Sequence, residues 1–537
     1  MAMREYEHYF LDPTGINLKN FLICIENALN SLQIWWEGND PKISPQELAI
    51  KKEKLGKLLA IAGFSPPYKK IEPLLARILE NIKFNQRNFV NIHPSPMLPA
   101  ILASLIVSIQ NPNNISREVS PATTKLEEEC IQFYRELIGY PAESWGTLVS
   151  DGTLANLTAL LVARDEKYYR NSSSKELLTG KEGLFSRDPG VILTTTNVHY
   201  SIEKAMWILG IGSRNLIKIP VAIDEVRLLN HQLWDDDRFE QFKAQNQGYS
   251  ADELKDFYEG KQEPFSLRPN IRDFERELTN GTKIFALLLT AGTTQTATIE
   301  NISEIMSLKN ENDIYYHIDA AIGGYTFCIP EIRDKVKGIE NADSITIDGH
   351  KLGFIHYPCG AIIFRKHRFK DLIEHTAPYL EYLSPTIEGS RPGTHAAACW
   401  LAHNTLTREG YRRIIGNLMN QTQVLRECLQ EEGSFQIYHE VDLNAIVFGI
   451  NRPDLPRKKI NQWNLQIAER INKEGKFLVN LTQNLAEIKV RNIPTKKDTD
   501  LVDIQGIRVL IMNPFTDQEI IKAFIIELKK QMNRVIS

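Results

Sequence analysis

The sequence predicts an α/β protein: a mostly parallel central sheet with helices on both faces, followed by a smaller C-terminal α/β domain. Three observations carry this reading. From about 91 to 370 short apolar strands alternate with helical segments, the texture of a mostly parallel sheet. Five of those strands stop on clusters of polar residues, and ligands in open α/β sheets bind beyond the carboxyl ends of strands. After about 376 the pattern changes to a long helix near 396–431, strand candidates such as 445–450, and a last helix near 516–535.

In chain order, residues 1–90 form a helical segment in which Leu18, Phe21, Leu22, Ile25 and Leu29 share one face, so that either the body of the protein or a partner subunit must cover it. The large ligand-binding domain follows over 91–375, and the small domain over 376–537. A charged stretch with weak periodicity, 226–277, reads as an insertion at the surface. The longest apolar run, Met97 to Ile109, is broken by Pro99 and two serines and is too short to span a bilayer, so it is expected to be a buried helix. The N-terminus Met1-Ala-Met-Arg-Glu-Tyr-Glu7 lacks a secretory pattern. A net charge of -4 gives no general attraction to nucleic acid or anionic membrane. Six dispersed cysteines without CxxC spacing point to reduced thiols in a cytoplasmic protein.

The five strand ends are where chemistry is expected. The strand 145–149 runs into Ser150-Asp-Gly-Thr153, and 190–194 leads to His199-Tyr-Ser201. The strand 284–289 leads to Thr290-Ala-Gly-Thr-Thr294. The last two are His317-Ile-Asp319-Ala-Ala321 and Ser344-Ile-Thr-Ile-Asp348-Gly-His350-Lys351. Gly152 and Thr153 open a helix whose N-H groups and dipole suit a phosphate, although an ordinary N-cap with a turn glycine looks the same in sequence. Lys351 offers an amine for an aldehyde, and Asp319 a carboxylate for a ring nitrogen. That pair is what pyridoxal 5′-phosphate requires of a protein. Desolvation of Lys351 is expected to lower its pKa and favour the neutral amine. His199 would stack on the cofactor ring, with small Ala321 letting the other face lie close to the backbone. Cys359, His356 and His367 show no metal-ligand spacing, and no metal is expected.

At these residues the chain resembles the group II pyridoxal-phosphate-dependent amino-acid decarboxylases, the family of glutamate, histidine, tyrosine and aromatic-amino-acid decarboxylases. The resemblance runs in order over roughly 90–420. It includes His93-Pro94, Asn111-Pro-Asn-Asn114, Glu118-Val-Ser-Pro121, Leu126-Glu127, Gly292-Thr-Thr294 and Glu388-Gly-Ser-Arg-Pro392 beside the five clusters. It implies the aspartate-aminotransferase fold (fold type I) and a homodimer with active sites at the interface. It implies that Lys351 carries the cofactor, Asp319 pairs with the pyridine nitrogen and His199 stacks on the ring. Gly152, Thr153, Asp348 and His350 would surround the phosphate, Thr294 would sit near the ring substituents, and His93 would help form the substrate pocket. Three features depart from the family pattern: Asp348-Gly349 before His-Lys, a short segment between His375 and Glu388, and the long insertion.

The implied reaction is decarboxylation of an L-amino acid to an amine and CO₂. Tyr379 and Tyr382 are candidates to protonate Cα, with His199 or His350 able to substitute. The Asn-Pro-Asn-Asn and Glu-Gly-Ser-Arg-Pro stretches favour an aromatic substrate such as tyrosine. Aspartate or glutamate stays open, because Arg365, Arg391 or Arg508 could pair with a side-chain carboxylate. Further alternatives are an aldehyde-forming decarboxylation, a carbon-carbon lyase or synthase, and a catalytically silent scaffold. Intact Lys351, Asp319 and His199 argue against the last.

Overall fold

Seven strands form the central sheet: β1 (Trp145–Val149), β2 (Val191–Thr195), β3 (Leu216–Ile219), β4 (Ile284–Thr290), β5 (Tyr315–Asp319), β6 (Ser344–Asp348) and β7 (Gly360–Phe364). The computed structural model describes residues 22–23, 25–30, 44–62, 71–78, 81, 85–170, 190–221, 266–309, 314–375, 378, 380, 384–452, 455–487, 489–491 and 501–537. Spatial order in the sheet is β1-β7-β6-β5-β4-β2-β3. Only β7 runs against its neighbours; the other pairings are parallel. Strands such as β4 and β5 are buried along their whole length, as continuous apolar runs covered by helices on both faces must be.

The helix Gly152–Arg170 packs on this sheet through buried Ala155, Ala159 and Ala163. Pro121 starts the helix Pro121–Ile138 and Gly139, at φ 87°, ends it in the left-handed conformation that glycine adopts without strain. A second, antiparallel sheet contains β8 (Phe435–Ile437), β9 (Ala445–Ile450), β10 (Asn480–Thr482) and β13 (Gly506–Leu510) in the order β10-β13-β9-β8. A separate pair, β11 (Lys489–Arg491) and β12 (Leu501–Asp503), stands beside it. One hydrophobic cluster runs from Leu287 and Leu289 through Tyr411 and Leu418 to Phe448 and Val509, joining the two sheets. The last helix, Gln518–Ile536, is capped by Asp517, whose carboxylate accepts the Ile520 N-H at 2.9 Å.

Three expectations need correction. The apolar run is a helix, Leu98–Ser108, but it is not buried: Leu98, Leu102 and Ile106 are 80%, 52% and 55% exposed. Its apolar residues face nearly all round, and among its residues Ala100 and Ala103 are the buried ones. The long helix, Gly393–Glu432, is broken at Thr407, whose φ of 55° and ψ of 178° are not helical. The 226–277 stretch is described only from 266 on, and that end is anchored in the core by fully buried Leu267 and Phe274 while Asn270, Arg272, Glu275 and Arg276 stay exposed. Of the N-terminal face, Leu22, Ile25 and Leu29 fall on helical residues, with Leu22 and Leu29 exposed, while Leu18 and Phe21 lie outside the described residues.

Candidate active site

The parallel strands all aim their carboxyl ends at one edge of the sheet, and β7, running the other way, brings its first residue there. A cavity of about 140 Å³ opens at that edge. It is lined by Gly152 and Thr153 after β1, His199 after β2, Gly292 and Thr294 after β4, Asp319 and Ala321 from β5, and Asp348, His350 and Lys351 from β6. Nine of the site residues expected from the sequence therefore converge, with Gly292 of the 290–294 cluster beside them. His93 does not line this cavity; its ring meets the Tyr357 ring edge to face at 5.2 Å, and Tyr357 does line it. Tyr379 and Tyr382 lie outside the described residues.

Lys351 is held by Asp348, whose Oδ2 stands 3.0 Å from Nζ and 3.5 Å from His350 Nε2. Burial alone pushes the lysine pKa down, but the Asp348 and Asp319 carboxylates outweigh it and leave the ammonium above its ordinary value. The expected depression is thus reversed. The cause is the pair of carboxylates on adjacent strand ends. Asp348 is also poorly suited to touch a phosphate, since its own negative charge would repel one.

Asp319 is fixed through both oxygens. Oδ2 accepts from Asn156 Nδ2 at 2.8 Å and Oδ1 from the Ala321 N-H at 3.1 Å. Asn156 is the hub behind it: Nδ2 also donates to Ser201 Oγ at 3.0 Å, while its Oδ1 accepts from Thr346 Oγ1 at 2.8 Å and faces His317 Nε2 at 3.0 Å. Burial holds the His317 pKa down at about 4, so that ring is neutral and serves as a hydrogen-bonding spacer. His199 is held from below by Ser201 Oγ, 2.9 Å from Nδ1. Burial lowers its pKa too, against the opposing pull of Asp319, so the imidazole facing the cavity is neutral near pH 7.

The cavity fits pyridoxal phosphate on the structure's own terms. Close approach is built in at Gly152, where a Cβ would lie 2.8 Å from Asp348 Oδ2 and 3.3 Å from the Ala321 Cβ. The buried Thr290 Oγ1 and Asp348 Oδ1 have no hydrogen-bond partner among the described residues, so polar valence is left for a bound group. Asp319, with one protein donor on each oxygen, can accept one more.

Sequence reasoning gave no role to Asn156, Thr290 or Tyr357. Asn156 lies three residues beyond the Ser150-Asp-Gly-Thr153 cluster. Its signal was there, a polar residue one helical turn after Gly152 on a face otherwise made of Ala155, Ala159 and Ala163. Elsewhere in the core Cys130, Cys399 and His403 gather three donor atoms within 4.8 Å, a grouping their sequence spacing hid. The His403 Nε2 is already 2.9 Å from the Tyr325 hydroxyl.

Comparison with known proteins bears on the same residues. A family model described as the pyridoxal-dependent decarboxylase conserved domain matches residues 72–234 and 260–451. The aspartate 1-decarboxylase of Aliivibrio fischeri is 24% identical over 476 residues, 82% of this chain and 78% of its own length. The L-tyrosine decarboxylase of Enterococcus faecium is 25% identical, over 68% of this chain and 67% of its own. The crystal structure of Oryza sativa TDC with PLP and tryptamine superposes with a TM-score of 0.72 at 16% identity, covering 98% of this chain and 99% of that one. At that identity the likeness shows the fold, which is fold type I.

Proposed function

The chain belongs to the pyridoxal-dependent decarboxylase family and is a pyridoxal-phosphate-dependent amino-acid carboxy-lyase; we propose that its substrate is an L-amino acid with an acidic side chain, aspartate or glutamate. The observation that carries this is Arg508. It lies on β13, 7% exposed, with Nε donating to the Gln295 carbonyl and Nη2 to the Thr294 carbonyl, both at 2.9 Å. Burial pulls its pKa down to about 10, and no carboxylate pairs with it among the described residues. A buried cation without an anion is costly, and a carboxylate arriving beside Thr294 removes that cost. Arg508 does not itself line the cavity but bonds the Thr294 carbonyl, and Thr294 does line it; no hydrogen bond among the described residues ties the other two candidate arginines to a cavity-lining residue. Arg391 is neutralised by Glu127 at 2.6 Å, and Arg365 follows β7 at the opposite edge of the sheet.

In this reading the cofactor, when bound, supplies an aldehyde that captures the substrate amine and a pyridinium ring that accepts the electrons left when CO₂ departs. Lys351 would hold it covalently, and Asp348 keeps the lysine amine aimed into the cavity. Asp319, fixed in orientation by Asn156, would keep the pyridine nitrogen protonated. His199 would stack on the ring, and as a neutral imidazole it would add no positive charge beside the ring nitrogen. Gly152, Thr153 and His350 would hold the phosphate. The proton delivered to Cα comes from Tyr379 or Tyr382 of the segment before Glu388, with His199 and His350 next in reach. His93 borders the substrate through Tyr357.

An aromatic substrate is the second reading. It is supported by the rings at the cavity mouth, where Tyr357 lies 4.1 Å from His350 and 5.2 Å from His93. The deciding experiment incubates the purified protein and pyridoxal phosphate with L-aspartate, L-glutamate and L-tyrosine, following CO₂, amine and aldehyde together. Acidic substrates should be preferred, and Arg508→Leu should cut kcat/KM on them by roughly a hundredfold while changing turnover of tyrosine less than about tenfold. Preference for tyrosine, unaffected by Arg508→Leu, would sink the acidic reading. Aldehyde in place of amine would identify the oxidative alternative.

The exposed apolar face of Leu98–Ser108 supports a homodimer in which a second copy covers it. No helix among the described residues is long and apolar enough to cross a membrane. The five described cysteines are unbonded, which suits a cytoplasmic protein.

A further inference from the structure

Glu300 plays no part in the chemistry above, yet it is buried at 2% exposure beside the cavity. The chain leaves β4 at Thr290, makes the loop carrying Gly292 and Thr294, and returns so that the Glu300 N-H donates to the Thr290 carbonyl at 3.2 Å. The Glu300 side chain then closes the loop a second time, with Oε2 accepting the Thr290 N-H at 2.7 Å. Its other oxygen, Oε1, accepts a short hydrogen bond from the Thr195 hydroxyl at the end of β2, and the Asn197 side chain adds a third donor. Thr195 and Asn197 lead directly into His199. One carboxyl group therefore ties together the loops that meet the cofactor from two strands.

We propose that Glu300 is a positioning residue for the decarboxylation: ionised, it locks the loop of His199 to the loop of Gly292 and Thr294, and protonated, it releases the Thr195 side of that lock. The direction of each hydrogen bond compels this. The Thr290 N-H can only donate, so a proton on Glu300 must sit on Oε1 and point at Thr195. Thr195 Oγ1 would then have to accept from Glu300 while it already accepts the Asn197 N-H at 3.2 Å, and its own hydrogen would lose its partner. A buried donor without an acceptor is unfavourable, so the loop must shift.

The charged surroundings agree with a carboxyl that changes state in the working range. Desolvation, with Asp319 on β5 adding its negative charge, raises the Glu300 pKa to about 7 against the donors from Thr195, Thr290 and Asn197. Behind it, Asp442 accepts the Ile299 N-H at 2.9 Å and Arg268 donates to the Ile299 carbonyl at 2.9 Å. Lys335 and Arg268 both pair with Asp442 and neutralise it. His199, across the loop, is neutral at this pH because its own pKa is lowered.

The test uses the holoenzyme between pH 5.5 and 9, reading the visible circular dichroism of the bound cofactor alongside kcat and KM. Wild type should show a cofactor signal and a kcat that both fall with one midpoint near 7 as pH decreases. Glu300→Gln should remove that midpoint from both readouts and lower kcat by roughly tenfold or more, with KM changed less. Glu300→Asp should restore a midpoint. Thr195→Val, which removes a donor from the ionised form, should move the midpoint up. A wild-type midpoint that persists unchanged in both Glu300→Gln and Thr195→Val overturns the proposal, as does a Glu300→Gln variant whose cofactor signal and kcat match wild type. Stability separates a latch from a mere core residue. Folding raises this carboxyl from 4.5 to about 7, so its contribution to stability is complete below 4.5 and lost as pH rises through 7. Glu300→Gln should therefore melt no lower than wild type at pH 8 despite its lower activity, and a lower melting temperature there would make Glu300 a structural residue. The cofactor signal and the melting temperature are read without substrate, so they test Glu300 even where the proposed substrate fails.

Discussion

Two buried polar clusters lie within one strand of each other, and they are finished in opposite ways. In the first, Arg391 Nη1 reaches Glu127 Oε1, Thr147 Oγ1 and the Leu148 carbonyl at 2.6, 3.1 and 3.0 Å, and Nη2 reaches the Asn114 carbonyl at 3.0 Å. Glu127 takes further hydrogen bonds from Thr147, Leu148 and Asn114. The second cluster is the cavity, where Asp348 Oδ1 and Thr290 Oγ1 find no partner among the described residues. In sequence the two look alike: Glu388-Gly-Ser-Arg-Pro392 and Asp348-Gly-His-Lys351 are both short polar motifs beside apolar runs. What separates them is room: Arg391 also keeps an unpartnered Nε among the described residues, but the space beside it is only about 10 Å³, against about 140 Å³ at the second cluster. A polar cluster that spends nearly all its hydrogen bonds on itself and leaves no room holds the fold, whereas one with bonds left over beside a cavity is where a ligand goes.

The largest way to test that difference is at Lys351. Lys351→Ala should abolish turnover and the borohydride-reducible chromophore while soluble, folded protein is still recovered; measurable turnover would remove Lys351 from the site. Next comes the closed cluster. Arg391→Ala leaves Glu127 charged and buried, so it should cost about 3–5 kcal/mol in denaturant unfolding. The activity it loses should be matched by lost folded protein, and a stable but inactive variant would place Arg391 in the chemistry instead. The smallest effect is expected at Asn156, which belongs to both worlds: it is fully bonded, yet it aims Asp319. Asn156→Ala should lower kcat by roughly tenfold to a hundredfold through the loss of about 1–3 kcal/mol of hydrogen bonding. The cofactor should also dissociate more easily, as followed by absorbance during dialysis. An unchanged cofactor affinity would reduce Asn156 to packing.

Much of the site was legible because strands announce their ends. An apolar run such as Ile284-Phe-Ala-Leu-Leu-Leu289 must stop where polar residues begin, so Thr290, Asp319 and Lys351 could be placed on one edge before any coordinates. Asn156 and Glu300 were not legible in that way. Their partners are 163 and 105 residues distant; Asn156 is marked only as a polar residue on an alanine face, and Glu300 stands in no pattern that marks it. Arg508 was named as one arginine of three, and only its burial without an anion set it apart. The helix Leu98–Ser108 shows the opposite failure: its composition says buried, but a sequence does not say whether its own chain or another does the burying.

The reversed direction of β7 has its own effect on Lys351. Antiparallel neighbours can be joined without a crossover, and only eleven residues, 349–359, separate β6 from β7. Both ends of that return are stitched into the sheet at the cavity edge, with Asp348 paired to Gly360. His350, Lys351 and Tyr357 thus ride on a short tether that never leaves the ligand side. The freedom the lysine would otherwise have to surrender at each turnover is given up once, when the chain folds.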